Sequence, residues 1–310
     1  MVAPAARADK KSLRAKRQHH NITTFELYII SNTVLAYISW NPDPVAFSLF
    51  GFDVRWYGLC WALAFLSGYM IMSWLYKDQK LGKDKFDPLF FYIFLGVLIG
   101  ARLGHCLFYE PGYWLSHPIE MVLPIKRDAM GSWHLVGYEG LASHGGVLGM
   151  MGAIWLYSRK YKVNIMRVLD NMGVLAPLSA AFVRLGNLMN SEIVGDPTSV
   201  PWGFIFAKNG EDFARHPAQL YEALFYALLF LITILIYKKM KHSVGKGFFF
   251  GCCLTCIFTF RFFIEFLKEN QEAYESSMLL NMGQLLSLPL IAIGVYCLCG
   301  GKLCKRLGEK

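Results

Sequence analysis

The hydrophobic positions fall into seven stretches, and short polar segments separate them. Each stretch is close to the roughly 20 apolar residues that an α-helix needs to cross a bilayer. The pattern therefore predicts an all-α polytopic membrane protein. The predicted transmembrane helices are 57–76, 88–108, 141–157, 166–190, 217–237, 244–266 and 281–300. The third is short and rich in glycine, and the fourth contains Asp170, Asn171, Pro177 and Arg184, which a helical bundle can shelter from lipid.

Basic residues in the connecting segments indicate the orientation of these helices. Loops 77–87, 158–165 and 238–243 and the tail carry fourteen Lys and Arg residues, whereas the loops on the other side carry five. Cytoplasmic loops are enriched in Lys and Arg. The C-terminus is therefore predicted in the cytoplasm, and with seven spans the start of the first span lies outside.

The N-terminal segment does not fit that charge pattern, because residues 1–17 carry six basic residues. We interpret 1–30 as a basic, disordered extension and 31–56 as an interfacial arm. Segment 24–40 is marginally apolar, so an eighth span there remains an alternative. The other predicted regions are a seven-helix catalytic domain, 57–300, and a basic cytoplasmic tail, 301–310.

Composition agrees with the membrane class. Hydrophobic residues make up 55% and charged residues 17% of the 310 residues, and the mean hydropathy is +0.35; soluble domains carry about 25% charged residues. The net charge of +9 comes mainly from the loops, so nucleic acid is not expected as a partner. The eight cysteines lack zinc spacing and are interpreted as small hydrophobic residues, and no metal or cofactor is predicted.

Polar residues of the predicted spans gather at their outer ends. Buried charge in a membrane is costly and therefore indicates function. None of these residues was counted for the topology, so their shared side independently supports one site near the outer leaflet. The residues are Tyr57, Arg102, His105, His144, Arg184, Asn187, Asn190, His216, Gln219, Arg261, Glu265, Asn281 and Gln284.

These residue types suggest phosphate chemistry. Arg184 and Asn187 share a helix face, and Arg261 can pair with Glu265 four residues later; a purely structural ion pair is the alternative for the latter. Guanidinium groups bind phosphate oxygens and stay charged at low dielectric. A histidine at 144 could move a proton, and Gly145-Gly146 at a helix start suits an anion. The residues point to transfer from a phospholipid without a metal.

Seven ordered motifs resemble the bacterial prolipoprotein diacylglyceryl transferase family over residues 33–300. The most extensive is Arg184-Leu-Gly-Asn187-Leu-Met-Asn190-Ser-Glu192-Ile-Val-Gly195, and Ser143-His144-Gly145-Gly146 is similar to the family's histidine–glycine motif. The others are Arg55-Trp-Tyr57-Gly, Gly100-Ala-Arg102-Leu-Gly, Arg215-His216-Pro-Ala-Gln219-Leu-Tyr221-Glu222, Arg261-Phe-Phe-Ile-Glu265 and Asn281-Met-Gly-Gln284. Two positions depart from the family pattern: Leu188 replaces a common Phe, and Ile257 a common Tyr.

The resemblance implies a reaction and a location. The enzyme would transfer the sn-1,2-diacylglyceryl group of phosphatidylglycerol to the lipobox cysteine of a prolipoprotein, form a thioether and release glycerol 1-phosphate. Its partners would be phosphatidylglycerol, prolipoprotein signal peptides and membrane lipids. It would be a multi-pass protein of the bacterial inner membrane, with its active site toward the outer leaflet.

The resemblance also implies residue roles. Arg184 and Arg261 would stabilise the leaving phosphate, His144 would assist thiol deprotonation, and Tyr57 and Asn187 would orient the headgroup. Glu192 and Glu265 would position the arginines, or one of them could be the base; proton removal assisted by the substrate also remains open. The predicted substrate-binding residues are Arg184, Arg102, Gly145, Gly146, Asn190, Glu192, Gly195, His216, Glu265 and Gln284.

Three other classes also explain part of the pattern. A transporter of an anionic solute predicts polar residues throughout the membrane depth, and here only Asp170 and Asn171 lie at the inner side, where helix capping explains them. A seven-span receptor would not explain the Arg and His residues at one side. Another phospholipid-using transferase or a phosphatase shares the site chemistry but differs in its acceptor.

Overall fold

We analysed a computed structural model of the chain, which describes residues 25–30, 33–109, 111–122, 125–128, 132–135, 140, 142–269 and 278–308. The described residues are mostly helical. The ten α-helices among them are α1 Trp56–Asp78, α2 Lys83–Phe108, α3 Pro111–Ser116, α4 Pro118–Val122, α5 Ser143–Tyr161, α6 Ile165–Asn190, α7 Ala218–Lys239, α8 Phe248–Ile264, α9 Met282–Leu298 and α10 Lys302–Gly308. A 3₁₀ turn, Glu265–Leu267, continues α8.

Short strands accompany the helices, so the all-α prediction was wrong in this respect. The strands are β1 Phe25–Ile30, β2 Thr33–Trp40, β3 Val45–Leu49, β4 Phe52–Arg55, β5 Ile125–Arg127, β6 Trp133–Leu135 and β7 Phe204–Phe206. They form a three-stranded sheet in the order β1-β2-β7 and two hairpins, β3-β4 and β5-β6. β2 is antiparallel to β1 and parallel to β7.

The strands also exclude the alternative that segment 24–40 is an eighth helical span. Residues 25–30 and 33–40 form β1 and β2, because both runs are rich in aromatic and β-branched residues. An open sheet cannot cross the lipid core, where its edge groups would stay unpaired. Residues 25–30 of the predicted disordered extension thus form a strand, and residues 1–24 lie outside the described residues.

Each of the seven predicted stretches contains a helix, and the count of seven spans is confirmed only in part by the length and hydropathy of these helices. Within the described residues, five helices meet the length and hydropathy of a span: α1, α2, α6, α7 and α8 with its continuation to Leu267. The bent pair α9–α10, with a 64° angle, would be a sixth. Helix α5 is not among them, because Ser143-His144-Gly145 at its start and Arg159-Lys160 near its end leave a short apolar middle.

The chain divides into two compact units. The first comprises residues up to Ser67, Pro177–Ile232 and Cys256–Ile291, and the second comprises Gly68–Ala176, Thr233–Thr255 and Ala292–Lys310. A core of the first unit contains Leu188, Val194, Phe204 and Phe206, with Trp40 packed on it. Trp40 Nε1 also donates to the carbonyl oxygen of Leu188 (2.9 Å), which joins β2 to the end of α6.

Glycines allow α2 and α5 to pack closely in the second unit. Gly96, Gly100 and Gly104 on α2 face Gly145 and Gly149 on α5. A Cβ atom at Gly104 would lie 2.7 Å from the Cα atom of Gly145, and one at Gly149 would lie 2.8 Å from the Cα atom of Gly100. Small residues at such spacing let helix backbones approach in membranes. This contact holds the start of α5, and with it His144, against α2.

Asp170 caps a helix other than its own. Its carboxylate accepts hydrogen bonds from the amides of Gly245 (2.7 Å), Gly247 (3.0 Å) and Phe250 (2.9 Å). These amides precede and begin α8, where helix N–H groups lack partners. This buried acid does cap a helix, but the prediction that it caps its own helix, α6, was wrong, because its carboxylate bonds the amides at the start of α8.

We predict that Asp170→Ala lowers the free energy of unfolding by about 2–3 kcal/mol, because it leaves buried amides unpaired. Asp170→Asn retains one acceptor oxygen and should lose less. Thermal unfolding in detergent measures both, and Asp87→Ala, at an exposed site on α2, is the control. Equal melting temperatures for all three variants and the parent would refute the capping role.

We predict that Gly149→Ala destabilises the protein by about 1–3 kcal/mol, because the added methyl group overpacks the contact between α2 and α5. Gly152→Ala on the same helix should have no such cost, since its Cβ would meet no atom within 4 Å. The comparison of the two melting temperatures is the test. A tolerated Gly149→Ala would show that the helices can separate without loss.

Candidate functional site

The C-terminal end of α6 presents three polar side chains at a spacing of three residues. Arg184 Nη1 lies 3.4 Å from Asn187 Oδ1. The side-chain nitrogens Nδ2 of Asn187 and Asn190 lie 3.4 and 2.9 Å from the carboxylate oxygens of Glu192. Glu192 reaches back because the chain turns sharply after α6: Ser191 and Ile193 have φ values of +57° and +56°. Glu192 thus contacts the two asparagines.

Tyr57 lies against the same helix end. A Cβ atom at Gly186 would be 3.1 Å from the Tyr57 ring. The glycine between Arg184 and Asn187 therefore makes room for the ring. This contact brings the first residues of α1 to the end of α6 and places a phenol beside the predicted headgroup residues.

A chain of ion pairs connects Arg184 to Arg261. Arg184 Nε lies 3.1 Å from Glu222 Oε2, and Lys268 Nζ lies 3.1 Å from the same oxygen. Lys268 Nζ also lies 3.0 Å from Glu265 Oε1, and Arg261 Nε lies 3.5 Å from that oxygen. The five residues come from α6, α7 and the end of α8. Three cations and two anions alternate, so the chain carries a formal charge of +1.

Burial varies along this ion-pair chain. The side chains of Glu222, Lys268 and Glu265 are 0%, 1% and 8% exposed, whereas those of Arg184 and Arg261 are 15% and 36% exposed. The surplus positive charge is therefore accessible at the two arginines. Each arginine contacts its glutamate through Nε, and Nη1 of Arg184 also lies 3.4 Å from Asn187 Oδ1; guanidinium groups bind phosphate oxygens through such terminal nitrogens. The exposed parts of Arg184 and Arg261 are therefore the candidate positions for binding an anion.

The start of α9 packs against Glu265. Asn281 and Gln284 form a reciprocal capping box: the Gln284 amide donates to Asn281 Oδ1 (2.8 Å), and the Asn281 amide donates to Gln284 Oε1 (3.0 Å). Asn281 Nδ2 lies 3.4 Å from Glu265 Oε2. A Cβ atom at Gly283 would be 2.8 Å from the Glu265 carboxyl carbon. Gln284, predicted to bind substrate, has structural partners here.

Gly195 and His216 form a tight crossing of two chain segments. The Gly195 amide donates to the His216 carbonyl oxygen (2.9 Å), and a Cβ atom at Gly195 would lie 2.6 Å from the His216 Cβ. Trp202 Nε1 donates to the Tyr221 hydroxyl (2.9 Å), which lies 3.3 Å from His216 Nδ1. Because an indole N–H only donates, the Tyr221 hydroxyl is free to donate to His216. Gly195 thus permits this crossing of protein backbone.

Arg215 holds the same region together. It pairs with Glu211 (2.8 Å) and Glu269 (3.3 Å) and donates to the Gly195 carbonyl oxygen (3.1 Å). Burial alone would lower the pKa of Arg215, but its hydrogen bonds and charge contacts with Glu211 and Glu269 outweigh that and raise it. The guanidinium therefore stays charged, and its contacts stabilise the segment around His216.

The remaining predicted site residues lie in the second unit. Arg102 is buried; it donates to the carbonyl oxygens of Met121 (3.1 Å) and Glu120 (2.8 Å) and stacks on Trp114 at 4.3 Å. These contacts hold α3 and α4 against α2. His144 is exposed on the second residue of α5, with its ring 5.3 Å from that of Phe108.

Gly145 and Gly146 follow His144 and are both buried. Gly145 packs on Gly100 and Gly104 of α2. The Gly146 amide donates to the Ala142 carbonyl oxygen (3.0 Å), so this amide already has a partner inside the helix. The structure therefore gives both glycines a packing role at the start of α5.

Sequence reasoning missed two members of the ion-pair chain. Glu222 was quoted within a motif without a role, and Lys268 was counted only as a loop charge. A signal was present for both. Glu222 is a carboxylate inside an apolar helix, which requires a partner, and Lys268 follows Glu265 by one helical turn. Within the described residues, no group of three or more His, Cys, Asp or Glu side chains is placed to hold a metal ion.

The fold and site define a multi-pass helical membrane protein with a partly accessible cationic site. The family model for "Prolipoprotein diacylglyceryl transferase" matches residues 44–299. This chain belongs to that family, as its motifs predicted.

Curated relatives agree in name. The chain is 55% identical over 265 residues to a phosphatidylglycerol–prolipoprotein diacylglyceryl transferase of Bacteroides fragilis, covering 86% of this chain and 95% of the relative. Relatives of the same name from Chloroherpeton thalassium and Tolumonas auensis are 44% and 40% identical, over 84% and 83% of this chain and 92% and 94% of theirs. The chain thus spans nearly the full length of these transferases.

We predict that Lys268→Ala destabilises the protein by about 3–5 kcal/mol, because it leaves Glu222 and Glu265 with too few cations in a buried site. Lys268→Arg should be tolerated better, since it keeps the charge. Thermal unfolding in detergent measures the effect, and Lys246→Ala, at an exposed site, is the control. Lys268→Ala with parental stability would mean that the ion-pair chain is dispensable for folding.

Proposed function

We propose that this protein transfers the sn-1,2-diacylglyceryl group of phosphatidylglycerol to the lipobox cysteine thiol of a prolipoprotein. A thioether forms, and glycerol 1-phosphate leaves. Family membership supports the reaction class. The observation that carries the proposal is the pair of partly exposed arginines, Arg184 and Arg261, at the ends of an ion-pair chain with a formal charge of +1.

The arginines would act on the leaving group. The cysteine sulfur attacks the glycerol carbon that bears the phosphate, and the bond between that carbon and the phosphate oxygen breaks. The bonding electrons move onto the phosphate oxygen. Guanidinium groups aimed at developing charge, in a site that excludes water, lower the barrier to such a step. Buried Glu222, Lys268 and Glu265 would hold both arginines in place.

A base must remove the thiol proton, because the thiolate is the nucleophile. We assign this to His144, whose exposed ring stands at the start of α5. Glu192, which is also exposed, and a phosphate oxygen of the lipid are the alternatives. Tyr57 and Asn187 would orient the headgroup, with Asn190, Glu192 and His216 around it. The contacts of Arg102, Gly145, Gly146, Gly195 and Gln284 favour positioning roles for these five residues.

The loop charges support a proposal for the membrane arrangement. We propose seven crossings in the bacterial inner membrane. Helix α5 would be the least apolar of these spans, and its close packing on α2 would allow it to cross. The start of α1 would face outward and α10 would lie at the cytoplasmic side, where Lys302, Lys305 and Arg306 are favourable. The site would then open near the outer leaflet, where lipid headgroups lie.

The reaction is tested with purified protein, phosphatidylglycerol and a short lipobox peptide that contains one cysteine. Mass spectrometry should detect a diacylglyceryl adduct on the peptide, and a peptide with serine in place of the cysteine should remain unmodified. Lipid turnover without an adduct would indicate a phospholipid enzyme with another acceptor. If folded protein gives neither product, the proposal is wrong and transport of an anionic solute becomes the hypothesis to test.

We predict that His144→Ala, Arg184→Ala and Arg261→Ala each reduce adduct formation by at least about 100-fold, since each removes proton transfer or charge stabilisation. Membrane insertion and the melting temperature in detergent should show that the variants fold. Arg159→Ala, at the far end of α5 beside Trp155, is the matched control and should stay active. Parental activity in all three site variants would overturn the site assignment.

A further inference from the structure

The hairpin β3–β4 exposes an apolar tip directly before the first transmembrane helix. Its two central residues, Phe50 and Gly51, have φ values of +49° and +85°. Positive φ at both positions is typical of the tight turn that joins two strands, and Asn or Gly usually occupies the first position. Phenylalanine is unfavourable in that conformation. The turn nevertheless carries it, with 93% of the side chain exposed.

The two faces of the hairpin differ in polarity. Leu49 pairs with Phe52, and Phe47 pairs with Val54, so these four side chains share one face. Phe47, Leu49 and Phe52 are 49%, 53% and 78% exposed. The other face carries the pair Ser48–Asp53, whose side chains are hydrogen-bonded. The hairpin is therefore an amphipathic ribbon with an apolar tip.

The base of the hairpin is fixed to the start of α1. Arg55 ends β4 and Trp56 begins α1 without a linker, and the Trp56 amide donates to the Pro44 carbonyl oxygen (3.1 Å), just before β3. Four residues of strand extend about 13 Å. The tip therefore lies within about 13 Å of the start of α1, a distance comparable to the depth of the interfacial region of a bilayer.

We propose that the apolar face and tip of this hairpin insert into the lipid interface beside the first transmembrane helix. Exposed apolar residues follow on α1, where Trp61 and Phe65 are 38% and 63% exposed and the rings of Tyr57, Trp61 and Phe65 contact one another in series. Contiguous exposed apolar patches mark interaction sites. The bilayer is the partner that already covers the adjoining surface of α1, and Ser48 and Asp53 remain toward water.

The test places a fluorine-labelled residue at the tip. Trifluoromethyl-phenylalanine replaces Phe50, Phe94 or Phe213, one position per sample, in the full chain in nanodiscs of phosphatidylglycerol and phosphatidylethanolamine. Phe94 lies exposed on α2, a membrane span, and Phe213 is an exposed phenylalanine outside the spans. Each fluorine signal is measured with spin-labelled lipid and, separately, with a water-soluble gadolinium complex.

We expect spin-labelled lipid to broaden the signal at position 50 as it does at position 94, and the gadolinium complex to affect it less than at position 213. Stronger broadening by gadolinium than by spin-labelled lipid at position 50 would overturn the proposal. This result does not depend on activity, so it is independent of the proposed reaction. An unchanged melting temperature excludes misfolding.

A second measurement distinguishes lipid from protein contact. Benzoyl-phenylalanine at position 50 reacts on irradiation with neighbouring C–H bonds, and mass spectrometry identifies the adduct. A phospholipid adduct supports the proposal. An adduct to a second copy of the chain, or to an added lipobox peptide in preference to lipid, shows that the tip docks protein and contradicts it.

Discussion

Charged groups that leave water inside a membrane protein need partners, and this constraint organises the site of the first unit. The free energy cost of burying one unpaired ion is several kcal/mol, which is a large part of the stability of a folded protein. Glu222 and Lys268 are almost fully buried and therefore depend on one another and on the groups beside them. Their alternation with Arg184, Glu265 and Arg261 satisfies each charge and leaves one positive charge over.

The surplus positive charge of the ion-pair chain connects the structure of the site to its proposed chemistry. A surplus positive charge at two partly exposed arginines favours the approach of an anion, and the proposed reaction uses this charge. Charge stabilisation in a transition state requires groups that are already in place, and the buried ion pairs would hold the two arginines in this way in the proposed reaction. Stability and the proposed catalysis thus rest on the same contacts.

Glycine acts in this protein mainly where backbone approaches backbone. Gly145 and Gly149 pack on α2, Gly195 lets the chain cross at His216, and Gly186 accommodates the Tyr57 ring. From sequence, Gly145, Gly146 and Gly195 were predicted to bind substrate. A sequence shows that a glycine is present, but the space that its missing side chain would fill depends on which segment packs against it.

The sequence by itself determined the long helices and the motifs from which the candidate site was inferred. Apolar runs located all seven helices within a few residues, because burial in lipid requires long uninterrupted apolar stretches, and the motifs identified Arg184, Asn187, Arg261 and Glu265. Only the tertiary structure decided the strands near the N-terminus, the capping of α8 by Asp170, and the partners of the arginines. Glu222 is 38 residues from Arg184 and 46 from Lys268. Local periodicity carries no information on contacts across such separations, which arise only when the helices pack.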